Sequence, residues 1–187
     1  PTEEYVKHSG GLFMDMTIHD FDMARYLMNS EVIEVSAKAA NLVDPMFSKY
    51  KDVDTAIITL TFENGALAVI DNSRQAVYGY DQRIEVFGSS GVVSADNELQ
   101  SNLQISTNRG TILDNPKHFF LERYKEAYVE EINCFARSLL DNLPVSCTGE
   151  DGYKAELLAH AANISLQTKA AVKLSELELV EKNVEVL

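Results

Sequence analysis

The dipeptide Asn64-Gly65 constrains the fold of this chain more than any other feature, because it falls between two runs of strand-like residues. Before it, Thr55–Phe62 sets Ala56, Ile58, Leu60 and Phe62 in alternation with threonines, the period of a half-buried strand. An Asn-Gly pair supplies the positive φ angles of a tight hairpin turn, so Ala66 to about Gln75 is expected to return antiparallel. A second hairpin is expected from Asp81–Phe87 and Val92–Ala95 around Gly88-Ser89-Ser90-Gly91, with a further strand near Leu103–Ser106. Ahead of these, Leu12–Met28 reads as one helix after Gly10-Gly11, and Val32–Val43 as a strand, followed by a loop over Asp44–Asp52.

Beyond His118 the apolar period lengthens from two to about 3.6. Leu121, Tyr124, Tyr128, Ile132, Phe135 and Leu139 form one stripe of a long amphipathic helix that Asn142-Leu143-Pro144 stops. Thr148-Gly-Glu-Asp151 reads as a capping box opening a last helix with Tyr153, Leu157, Ala161 and Ile164 inward, and a short strand is expected at Ala171–Leu174. Glu176–Leu187 fits either an ordered edge or a frayed tail. Helix, antiparallel hairpins and then two helices give an α+β class: a mostly antiparallel (mixed) open sheet with helices packed on one face, in a single domain over 1–187. Ile57, Ala66, Ala68 and Ile70 are expected to make the far face partly apolar and to favour sheet-to-sheet oligomerisation; a lightly apolar solvent face is the alternative.

A formal net charge of −13, from 16 Lys and Arg against 29 Asp and Glu, argues against a nucleic-acid groove or an anionic membrane surface as partner. The start, Pro1-Thr2-Glu3-Glu4-Tyr5, has neither the basic nor the apolar region of a signal peptide, and the expected compartment is the cytoplasm. Beginning at proline points to a processed product or a piece of a longer chain. Two cysteines, Cys134 and Cys147, are too few for a disulfide framework.

On a straight helix, Asp15, His19, Asp22 and Tyr26 share a narrow arc, with Phe13, Met14, Met16, Phe21, Ala24, Leu27 and Met28 around the other side. A carboxylate one turn before an imidazole raises the ring's proton affinity and fixes its tautomer, which suits a general base. Two other readings stay open on spacing alone. One is structural, with Asp15 complementing the helix dipole; the other takes Asp15, His19 and Asp22 as metal ligands, which three positions on one helix do not complete. His8, His118 and His160 have no context that nominates them.

The string SGGLFMDMTIHDFDMARYL resembles the opening helix of the C-terminal domain of the glucose-fructose oxidoreductase, inositol dehydrogenase and rhizopine-catabolism family, written Gfo/Idh/MocA. VDTAIITLTFENGALAVIDNSRQAVYGYDQRIEVFGSSGVV is similar to its central hairpins, as found in inositol 2-dehydrogenases, and HFFLERYKEAYVEEINCFARSLLDNLPVSCTGEDGYKAELLAHAANISLQT to its closing helices. The resemblance covers roughly residues 3–175. It implies NAD-dependent oxidation of a secondary alcohol on a cyclic polyol or sugar. His19 would be the acid/base, Asp15 would orient it and hold a substrate hydroxyl, and Tyr80 and Tyr78 would lie near the polyol. Met16 stands where some inositol dehydrogenases carry a hydroxyl residue.

The family's N-terminal Rossmann domain, with G-x-G-x-x-G and a later E-K-P-like motif, is not in this sequence, and no Gly-x-Gly occurs in it. The cofactor-binding residues would therefore lie elsewhere in a complete enzyme, and the chain alone is expected to be inactive. A non-catalytic binding or oligomerisation module derived from the same family is the second reading.

Overall fold

The computed structural model describes residues 1–177. In chain order the elements are α1 (Glu3–His8), a π-helical segment (Phe13–Thr17), α2 (Ile18–Met28), β1 (Val32–Ala40), α3 (Met46–Lys49), β2 (Thr55–Phe62), β3 (Leu67–Ser73), β4 (Ile84–Gly88), β5 (Gly91–Ala95), β6 (Gln104–Thr107), β7 (Gly110–Leu113), α4 (Phe120–Arg123), α5 (Lys125–Leu140), α6 (Gly149–Thr168) and β8 (Val172–Lys173). They fall into two compact units, Ala76–Ser146 and the described residues on either side of it. The class is α+β. Among the described residues no helix is long and apolar enough to cross a membrane.

The larger unit is a four-stranded sheet in the order β3-β2-β1-β8. All its ladders are antiparallel. The Asn64-Gly65 hairpin forms as expected and pairs Ile58 with Ile70 and Leu60 with Ala68. Alternation therefore sends Ala56, Ile58, Leu60 and Phe62 into the core. Ala68 and Ile70 lie on that same inner face, packed against the core with Ala66. This corrects the expectation that these three residues line the far face; only Ile57 of the four is on the open side, where Leu67 and Val69 join it. The register decides this, since a shift of one residue would exchange the two faces.

Helix α6 covers the inner face through Ala155, Leu157, Leu158, Ala159, Ala161 and Ala162. Leu157 and Ala161 face inward as expected and Ile164 packs against the core, whereas Tyr153 is exposed. The alanines let the helix approach β1 closely, where Ser165 Oγ accepts from the Ala37 N–H at 2.9 Å and donates to the Ala170 carbonyl at 2.7 Å. The Thr148–Asp151 capping box opens α6 as expected. Asp151 also meets Arg25 Nη2 at 3.5 Å, and Arg25 forks onto Glu31 at 2.7 and 2.9 Å, so a side chain of α2 ties it to the start of α6.

Strand β1 ends at Ala40 rather than Val43. The amides of Leu42, Val43 and Asp44 turn away from the ladder and donate to the buried Asp54 carboxylate at 2.9–3.0 Å.

The second unit consists of two ribbons, β4-β5 and β6-β7, with α4 and α5. Strand β7 was not expected, and the helix expected from Leu121 is broken into α4 and α5. No hydrophobic residue of this unit is buried, and Leu121, Tyr128, Ile132, Phe135 and Leu139 are all exposed. The amphipathic stripe exists but, apart from Tyr124 against Tyr80, it is left exposed, as two-stranded ribbons supply little apolar surface to pack on. The part of the tail from residue 178 on lies outside the described residues.

Candidate active site

The helix expected over Leu12–Met28 is not uniform: Phe13–Thr17 is π-helical, and the α-helix proper starts at Ile18. A π segment adds a residue to the turn, so Asp15 leaves the straight-helix arc that His19, Asp22 and Tyr26 keep on α2. Its start is fixed from outside. Gly11, at φ +87°, lies against Asp52, and a Cβ there would meet Asp52 Oδ1 at 3.0 Å. That oxygen accepts the N–H of Leu12 at 2.8 Å and that of Val53 at 2.8 Å.

Asp15 turns toward β3. One oxygen accepts from Arg74 Nη1 at 2.6 Å and the other from the Tyr5 hydroxyl. Arg74 Nη2 reaches Asp52 at 3.3 Å, and its guanidinium lies 5.2 Å from the centre of the Phe47 ring. The side chains of Arg74, Asp52 and Asp15 are 3%, 6% and 11% exposed, so this acid–base–acid triad is shielded from screening by solvent. The hydrogen bond to Asp15 raises the Tyr5 phenol above its ordinary value, and burial and the Asp15 charge add to it.

Beside the triad, the fully buried Thr17 donates to Asn72 Oδ1 at 2.6 Å, and Asn72 Nδ2 donates to Asp20 at 2.9 Å. Asn72 of β3 and Arg74 just beyond its end thus both reach the π segment, two residues apart.

His19 is exposed on the first turn of α2. Asp15 spends its hydrogen bonds on Tyr5 and Arg74, and among the described residues none joins it to His19. Asp22 ion-pairs with Arg25 at 3.4 Å, and Tyr26 is 78% exposed. Among the described residues no group of three or more His, Cys, Asp or Glu is placed to hold a metal ion.

Tyr78 and Tyr80 belong to the second unit. Gly79 between them is buried at φ +145°, where a Cβ would sit 2.8 Å from the Pro116 carbonyl oxygen. The Tyr80 N–H donates to the Lys117 carbonyl at 2.9 Å, and its ring meets Tyr124 edge-on at 5.7 Å. The Tyr78 hydroxyl donates to Asp81, which also accepts from Arg83 at 2.7 Å and Asn97 at 2.6 Å. Burial pushes the Asp81 carboxyl up, but donation from Arg83, Tyr78 and Asn97 outweighs it and holds the group at about 2.

Sequence reasoning missed Arg74, Asp52, Tyr5, Thr17 and Asn72. Counting by two along β3 from Ile70 puts Asn72 and Arg74 on its inner face, a signal available in the sequence. Nothing local marks Asp52, which acts across 40 positions on Leu12.

The chain belongs to the Gfo/Idh/MocA family: the family model for the GFO/IDH/MocA C-terminal domain matches residues 1–94. It is 51% identical over 176 residues to a myo-inositol 2-dehydrogenase of Thermotoga maritima, covering 94% of this chain and 53% of that protein. A crystal structure of a probable dehydrogenase from Thermotoga maritima superposes with a TM-score of 0.92 at 51% identity, over 94% of this chain and 53% of that one. The scyllo-inositol dehydrogenase of Lactobacillus casei, solved with bound NAD(H) and scyllo-inositol, gives 0.83 at 28% identity, over 92% and 51%. The chain therefore spans about half the length of the relatives it matches.

Proposed function

We propose that this chain is the substrate-side, C-terminal portion of an NAD-dependent inositol 2-dehydrogenase-like oxidoreductase that oxidises a ring secondary alcohol of a cyclic polyol in the cytoplasm. Residues 1–187 would serve as one substrate-binding and oligomerisation domain. Supporting this are the family membership, the inositol dehydrogenases among the relatives, and above all one observation. A carboxylate, Asp15, is held by Arg74 at 2.6 Å where a π segment enters α2, and an exposed imidazole, His19, follows on the next turn.

Each carboxylate oxygen has two lone-pair sites, so the donors on Asp15 leave room for a substrate hydroxyl. The exposed His19 ring can take the proton of the hydroxyl being oxidised. Tyr78 and Tyr80, which belong to the second unit, are proposed as further polyol contacts on the family resemblance alone.

The hydride of such a reaction goes to a nicotinamide dinucleotide. The residues described do not fit that group by themselves: the sequence has no Gly-x-Gly, and every ladder is antiparallel, so no βαβ crossover sets amide donors at a helix N-terminus for its phosphates. A Rossmann domain outside these residues would bind it. The second unit, with no buried hydrophobic residue of its own, is in keeping with membership of a larger body.

The test is NADH formation from myo-inositol by the full-length protein carrying these residues. His19→Ala is expected to lower kcat by about 10²–10⁴-fold, the range for a lost general base. Normal turnover by that variant would remove His19 from the reaction. A full-length protein that binds polyols but oxidises none would make this domain a non-catalytic binding or assembly module.

A further inference from the structure

We infer that Arg74 is the positioning residue of this site, fixing the Asp15 carboxylate in the orientation that meets the substrate; the inference rests on the reaction proposed above. Arg74 follows directly on β3, and its own N–H is tied to the Asp54 carbonyl at 2.8 Å. Its fork spans two carboxylates, Asp15 at 2.6 Å and Asp52 at 3.3 Å. Asp52 is anchored in turn by the amides of Leu12 and Val53. A continuous set of bonds thus runs from the sheet edge to the start of the π segment and on to Asp15.

Stability alone does not call for this arrangement. A buried ion triad gains little over well-packed apolar residues of the same volume, because desolvation offsets the attraction. Among the described residues Arg74 Nε is moreover buried with no hydrogen-bond partner, a cost that an apolar residue would not carry. What the guanidinium supplies and an apolar side chain cannot is direction: two parallel donors in a rigid plane. Without it, Asp15 keeps, among the described residues, only Tyr5, which is 51% exposed, and its carboxylate is free to turn.

The experiment uses the full-length enzyme with myo-inositol and NAD, and compares Arg74→Met, Arg74→Lys, Asp15→Asn and the double variant. A misplacement of about 1 Å at a reacting group costs about 10²-fold. Arg74→Met is therefore expected to lower kcat by about 10²-fold. Arg74→Lys keeps the charge but not the fork and recovers part of that loss, while remaining foldable if the methionine variant is not. The double variant should be no slower than Asp15→Asn within about threefold, because both substitutions disable one device. A crystal structure of the Arg74→Lys protein should show the Asp15 carboxylate turned from its wild-type orientation.

Arg74 variants within about threefold of wild-type kcat, or losses that multiply in the double variant, would overturn the inference. So would an Asp15 left in place in the lysine variant. If Asp15→Asn itself leaves turnover unchanged, or the wild type oxidises no cyclic polyol, the reaction assigned to the site fails, and the role of Arg74 with it.

Discussion

Thr17 and Asn72 show how much a single side-chain bond carries at this site. Thr17 is fully buried, and its hydroxyl is the donor to Asn72 Oδ1 at 2.6 Å. Thr17→Val keeps the shape of the side chain and leaves that oxygen without its donor. The expected loss is about 1–3 kcal/mol, the cost of a buried polar group left unpaired. Urea unfolding should show a lower midpoint at an unchanged m-value. At this scale, Asp15 and His19 were legible as chemistry-bearing types at a suggestive spacing. Their partners were not: Arg74 lies 59 positions from Asp15 and Tyr5 lies 10, and no local pattern pairs them.

Among the elements, the end of β1 depends on one carboxylate. Burial pushes the Asp54 carboxyl up, but the amides of Leu42, Asp44 and Val43 and the Thr55 hydroxyl together hold it below its ordinary value of 3.8. The folded state thus binds its proton less readily than the unfolded chain. The stabilisation is full above the unfolded value, begins to fall as the pH drops below it, and is gone once the pH has passed below the lowered folded value. Asp54→Asn should be less stable than wild type at pH 7, and the gap should close below about pH 4, in unfolding free energies measured across that range. Strands β2 and β3, the helix α6 and its capping box were readable because alternation, Asn-Gly and Thr-x-x-Asp act within a few residues. The π segment and the stop of β1 were not, since Asp52 and Asp54 impose them from the far side of a loop.

For the molecule as a whole, the open face of the sheet is the feature with the largest consequence. Ile57, Leu67 and Val69 are 56%, 75% and 70% exposed there, among the threonines of β2. Assembly through this face, as proposed, predicts that Val69→Lys in the full-length protein shifts the mass measured by light scattering toward the monomer, with the circular dichroism spectrum unchanged. An unchanged mass would take the sheet face out of the interface. The α+β class was legible from the order of periodicities. Which apolar residues face inward was only partly so, because Ala68 and Ile70 are assigned by register against β2.

The sequence by itself determined the hairpin, the sheet class, the capped closing helix and the pair of residue types at Asp15 and His19, because each is written in short-range chemistry: turn angles, side-chain period and capping donors. Only the tertiary structure decided that Asp15 turns to Arg74 rather than to His19. Burial makes that choice, because a carboxylate and a guanidinium withdrawn from water must find each other wherever along the chain they lie.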